Sequence, residues 1–105
     1  MKEKARYVYG VIPRGHWKNF GKVGIGGRGD LVYTLPYKDI CAVVSNTPFM
    51  KYEPNEENAS AHEGVVEGVM RNTTVLPVKF CTIFQSQVGV RRMLSELYGE
   101  FKSNL

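Results

Sequence analysis

The glycine-rich run Gly24-Ile25-Gly26-Gly27-Arg28-Gly29 is the first stretch whose residue types suit a definite chemistry. Phosphate binding uses such glycines so that backbone N–H groups can approach the anion, with a helix N-terminus directly behind them. Here a strand-like segment follows instead, and there is no Gly-Lys-Ser/Thr ending, so a flexible lead-in to a strand is the stronger reading. Arg28-Gly29-Asp30 also spells an adhesion tripeptide, a coincidence in a chain that shows no secretion signal. His62-Glu63 matches the start of a zinc-peptidase helix, which needs a second histidine four residues on. Val66 stands there, and His16 lies far away in a loop, so no metal is expected. Cys41 and Cys81 sit among Ile40, Ala42, Phe80 and Ile83. That setting raises a thiol pKa and suits core packing rather than a nucleophile. Ser45, Ser60 and Ser86 lack any nearby histidine–carboxylate pattern. The expectation from these residues is no catalytic residue, no metal and no cofactor.

Aromatic residues on strands suggest a different chemistry. Tyr7, Tyr9, Phe80 and Phe84 could share a sheet face, as in domains that stack RNA bases on strand aromatics. The run Val78-Lys79-Phe80-Cys81-Thr82-Ile83-Phe84 lacks the glycine and the basic start of that signature. Core packing is the plainer reading, and a protein-binding face ranks ahead of an RNA-binding one.

The elements that must position these residues can be read from periodicity. Ala5–Ile12 reads as a central strand, with Tyr7, Tyr9 and Val11 on one face and Val8, Gly10 and Ile12 on the other. Pro13 ends it. Pro13–Asp30 reads as a long loop with Trp17 and Phe20 as anchors and a short extended piece through Val23 and Ile25. Leu31–Leu35 and Asp39–Ser45 form an antiparallel hairpin across Pro36-Tyr37-Lys38. A proline-bounded loop with Phe49, Met50 and Tyr52 leads to Asn55, an N-cap followed by Glu56 and Glu57 in the first helical turn. Ala61, Val65, Val66, Val69 and Met70 give that helix an apolar stripe to about Asn72. Gly64 and Gly68, each costing about 1 kcal/mol against alanine, would let another backbone pack closely. Val75–Phe84, entered through Pro77, reads as a buried fourth strand. Ser86 caps a last helix with Val90, Leu94, Leu97 and Phe101 on one face and Met93 and Tyr98 beside it.

This order predicts the α+β class: a ferredoxin-like four-stranded antiparallel sheet with helices on one face, the first helix replaced by the Pro13–Asp30 loop. At 105 residues the chain makes one domain, and its 43% hydrophobic and 23% charged content excludes a disordered tail. A formal charge of +4, with a cluster through Arg14, Lys18, Lys22 and Arg28, permits weak attraction to anionic surfaces without requiring it. No apolar run approaches the roughly 20 residues that span a bilayer. Met1-Lys2-Glu3-Lys4 leads straight into Tyr7-Val8-Tyr9 without a signal-peptide core, so the cytoplasm is the expected location, with no membrane partner.

Four segments together resemble the gas vesicle protein F and L family. They are Tyr7–Ile12, Val32–Ser45, Ala61–Glu67 and Val75–Phe84, in the family's order and over nearly the whole chain. Family members often carry glycine where Cys81 stands and arginine where Lys79 stands. The resemblance implies a cytoplasmic, non-enzymatic accessory protein that binds the small hydrophobic major shell protein and other accessory proteins during nucleation or growth of the shell. It also implies that residues 1–105 form the N-terminal domain of a longer two-domain protein, in keeping with an apolar stripe still running at Leu105. Candidate contact residues are Tyr7, Tyr9, Trp17, Phe20, Phe49 and Tyr52, since aromatics dominate interface energetics. Two other classes fit the residues: a ferredoxin-like ligand- or nucleotide-binding domain using the glycine run, and, ranked last, a nucleic-acid-binding module.

Overall fold

The structure, a computed structural model, describes residues 4–15 and 19–105. A five-stranded antiparallel sheet has the order β2-β3-β4-β1-β5, built from β1 (Ala5–Pro13), β2 (Asn19–Gly21), β3 (Val32–Tyr37), β4 (Ile40–Thr47) and β5 (Leu76–Phe84). Helix α1 (Glu56–Met70) connects β4 to β5, and α2 (Gln87–Glu96) and α3 (Tyr98–Asn104) follow β5. The α+β class holds, and the strand order is consistent with a ferredoxin-like plan lacking its first crossover helix.

Two features differ from the expected plan. The Pro13–Asp30 loop supplies an extra edge strand, β2, which pairs with the start of β3. The helices also divide between the two faces of the sheet. Helix α1 packs through Val65, Val66 and Val69 on Tyr7, Tyr9, Ile12, Cys41 and Val43. Helix α2 packs through Val90 and Leu94 on Val8, Val11, Ala42 and Val44. The cause lies in β1 and β4, which are apolar on both faces and therefore need a cover on each.

The face assignment of β1 changes halfway along the strand. Val8 pairs with Val44 and Gly10 with Val43, so Tyr9 is an extra residue against β4. Such a bulge reverses the parity of everything beyond it. Val11 therefore joins Val8 beneath α2, and Ile12 joins Tyr7 and Tyr9 beneath α1, the opposite of simple alternation. A Cβ at Gly10 would lie 2.9 Å from the Leu76 carbonyl oxygen and 2.8 Å from Val75 Cγ1, so only glycine fits where β5 approaches the bulge.

The hairpin turns at Lys38 and Asp39, since Tyr37 pairs with Ile40, and Pro36 lies within β3 beyond the reach of β2. Asn55 caps α1 as expected, its Oδ1 accepting from the Asn58 N–H at 2.8 Å. Ser86 holds the N-cap position of α2, but its side chain makes no capping bond. The last helix is not continuous. It breaks at Leu97, whose φ of −107° and ψ of 13° turn that side chain off the Val90–Leu94 stripe and into solvent. Among the described residues no other segment packs closely on Gly64 and Gly68, which line a groove with Phe20 and Val23. Strand β5 is an edge strand and half-exposed rather than buried.

Candidate interaction site

Beneath α1, four aromatic hydroxyl and imidazole groups form a closed network. Tyr7 Oη accepts from the Cys81 N–H at 2.9 Å and stands 2.8 Å from His62 Nδ1. A hydroxyl both donates and accepts, so Tyr7 bonds the ring in either neutral tautomer of His62. Burial lowers the His62 pKa, and a hydrogen bond with the Val78 backbone opposes that shift. Tyr9 Oη accepts from the Ile25 N–H at 2.9 Å and lies 2.7 Å from Ser45 Oγ. Burial raises the pKa of both tyrosines, so both stay protonated at neutral pH. Tyr52 Oη receives a hydrogen bond from Arg28 at 2.6 Å and meets Thr47 Oγ1 at 2.6 Å. Every hydroxyl has its partners inside the fold, as a buried polar network requires. Its chemistry is positioning: it ties α1, β1, β5 and the glycine run together.

The glycine run serves the same network. Arg28 folds back over Gly26, bonding the Ile25 carbonyl and Tyr52 and pairing with Asp30 at 2.8 Å. A Cβ on Gly26 would lie 2.3 Å from that guanidinium. The guanidinium thus covers Gly26, and Arg28 and Asp30 form an ion pair within the chain.

The six candidate contact residues separate accordingly. Tyr7, Tyr9 and Tyr52 are buried in the core beneath α1. Periodicity placed them on a strand face or in a loop but could not show that a helix covers them. Phe20 is half-buried against the same core. Trp17 lies outside the described residues, as do His16 and Lys18. Phe49 alone of the five described is open to solvent, at 63% exposure.

Phe49 is not isolated. Together with Met50, at 44% exposure, and Val88, at 60%, it flanks the outer edge of β5. These are three of the seven large apolar side chains exposed among the described residues. Two shallow grooves meet at Phe49 and Ile83. One of about 620 Å³ runs toward Lys51 and Lys79, and one of about 400 Å³ runs toward Val88 and Arg92. Sequence reasoning did not select Val88, although an apolar residue lying off the Val90–Leu94 stripe was a usable signal. Between Pro77 and Thr82, β5 bulges outward: Pro77 pairs with Gly10 and Thr82 with Val8, so four residues stand opposite Tyr9 alone. Cys81 takes a left-handed φ of 64° there, and Thr82 Oγ1 donates to the Lys79 carbonyl at 2.7 Å. Cys81 is half-buried and accepts from the Tyr52 N–H at 3.3 Å, so the expectation of a fully buried core thiol holds for Cys41 only.

Comparison with known proteins places this geometry in context. Two solved structures share the fold: gas vesicle protein GvpF from Anabaena sp. PCC7120, with a TM-score of 0.79 at 22% identity over 96% of this chain and 42% of that one, and GvpF from Microcystis aeruginosa, with a TM-score of 0.80 at 22% identity over 94% and 41%. Gas vesicle protein F1 of Halobacterium salinarum is 29% identical over 102 residues, which are 94% of this chain and 47% of the relative. The chain thus spans about half the length of the curated relative it matches. Among the described residues, no helix is long and apolar enough to cross a membrane. The profile of the gas vesicle synthesis proteins GvpL/GvpF matches residues 5–105, and the chain belongs to that family.

Proposed function

We propose that this domain is a cytoplasmic, non-enzymatic accessory component of gas vesicle assembly that binds the hydrophobic major shell protein and other accessory proteins while the shell nucleates or grows. The family supports the process, and the clustering of Phe49, Met50 and Val88 beside a sheet edge supports the mode. A shell subunit that aggregates through apolar surface is held soluble by a partner offering complementary apolar surface. The observation that carries the reading is this exposed apolar cluster, set against other described aromatics that are largely packed inward.

The test is co-expression with the major shell protein of the same organism, followed by capture through a tag on this domain at low and high salt. Salt-resistant capture that Phe49→Ser weakens is expected. Absence of capture at either salt, with both proteins soluble, overturns the reading.

A further inference from the structure

We propose that the outer edge of β5 docks an extended polypeptide segment of a partner whose apolar side chains are flanked by carboxylates; only the partner's identity as a gas vesicle component rests on the function proposed above. Strand β5 ends the sheet, so its outward backbone groups are available for pairing with an added strand. The bulge limits where this can happen. Residues between Pro77 and Thr82 leave the ladder, which keeps β5 in register with β1 at Leu76–Pro77 and at Thr82–Phe84; Pro77 has no N–H to give, so an added strand pairs along Thr82–Phe84.

The side chains around that short edge specify the occupant. Phe49, Met50 and Val88 offer apolar contact on either side of it. Lys51, Lys79 and Arg92 line the same two grooves, and no aspartate or glutamate does among the described residues. Four acids, Glu56, Glu57, Glu63 and Glu67, are on α1, where Glu63 and Glu67 border a separate groove with Pro77 and Phe80, on the far side of the bulge from Thr82–Phe84. A basic rim around an apolar strip favours a segment with carboxylates beside its apolar residues, through faster encounter and rejection of basic competitors. The same charges argue against a second copy of this chain. Pairing β5 with β5 would place two sets of Lys51, Lys79 and Arg92 together, and like charges across an interface are unfavourable.

The experiment titrates the protein with a short, end-blocked peptide of alternating valine and glutamate, and with its valine–lysine counterpart, while following backbone amide NMR signals. The glutamate peptide is expected to bind with shifts centred on Thr82–Phe84, and the lysine peptide to bind at least about tenfold more weakly. In the Lys79→Glu, Arg92→Glu double variant, checked for fold by the unshifted β1 and β4 signals, this preference is expected to reverse. Equal binding of both peptides, shifts elsewhere, no binding, or a dimer that Phe49→Ser dissociates would each overturn the proposal. The two readings fail separately. Peptide binding at β5 without shell-protein capture removes the function proposed above and leaves the site. Shell-protein capture unaffected by Phe49→Ser and by the charge-reversed variant removes the site and leaves the function.

Discussion

Cys81 occupies a backbone conformation that suits glycine, with a φ of 64° at the outer limit of the β5 bulge. A side chain in this region costs about 1–2 kcal/mol, and the Tyr52 N–H bond to its sulfur, at 3.3 Å, offsets only part of that. Cys81→Gly relieves the strain and loses the weak bond, so its unfolding midpoint in urea should lie within about 0.5 kcal/mol of the parent or above it. Cys81→Val adds β-branching to the same conformation and should cost more than about 1 kcal/mol. A costly Cys81→Gly would show that the sulfur contact outweighs the backbone. Gly10 is the opposite case, constrained by space: Gly10→Ala drives a Cβ into the Leu76 carbonyl and should cost about 1–3 kcal/mol in the same assay. Neither constraint was legible in the sequence. Cys81 in an apolar run reads as core, and the glycine that resembling proteins often carry there gains its physical reason only from the observed φ.

The attachment of α1 to the sheet depends on one hydroxyl and one ring. Tyr7→Phe leaves the Cys81 N–H without its acceptor and His62 Nδ1 without its hydroxyl partner. An unsatisfied buried group costs about 1–3 kcal/mol, and that loss is expected in denaturant unfolding. His62 adds a pH dependence whose sign follows from burial. Its pKa is lowered in the fold, while the unfolded chain titrates near the ordinary value of about 6.5. Stability from the neutral ring is therefore complete above about pH 6.5 and is lost as pH falls toward the folded pKa. The groups facing the ring are Tyr7 and Tyr9 from β1, which stay neutral in this window, and Glu63 from α1, whose charge weakly opposes the shift. Urea midpoints at pH 8, 6 and 5 should fall in that order, and His62→Leu should flatten the trend between pH 6.5 and 5. A midpoint rising toward pH 5 would contradict the neutral-ring network. The helix itself, its Asn55 cap and its apolar stripe were legible in sequence. The network was not, because the β1 bulge that sets which residues face α1 leaves no mark in the hydrophobic pattern.

Across the whole molecule, the double-faced sheet makes the order of local stability predictable. β1 and β4 lie in the interior of the sheet and are covered on both faces, whereas α3 buries no residue completely and spans only Tyr98–Asn104. What holds α3 is Asp39 in the hairpin turn, which accepts from Tyr98 Oη and from Lys102 Nζ, with partly buried Phe101 beneath. Those two hydrogen bonds, Lys102 first, hold the Asp39 carboxyl at about 2. The anchor lies at the surface, with both side chains about half exposed, so salt screens it and its loss should open α3 alone. Its stabilising contribution is present above the ordinary carboxylate range and disappears as pH falls through about 2. The periodicity of Val90, Leu94, Leu97 and Phe101 announced a helix here but not its division, because Leu97 keeps the spacing of the stripe while the backbone turns it outward. Native-state hydrogen exchange tests the hierarchy directly. Amides of β1 and β4 should exchange only on global unfolding, and those of α3 by local opening. Asp39→Ala should accelerate exchange in α3 while leaving β1 unchanged. Equal acceleration in both would mean that the C-terminal helices and the sheet unfold as one unit, and that this contact supports the whole core rather than its outermost layer.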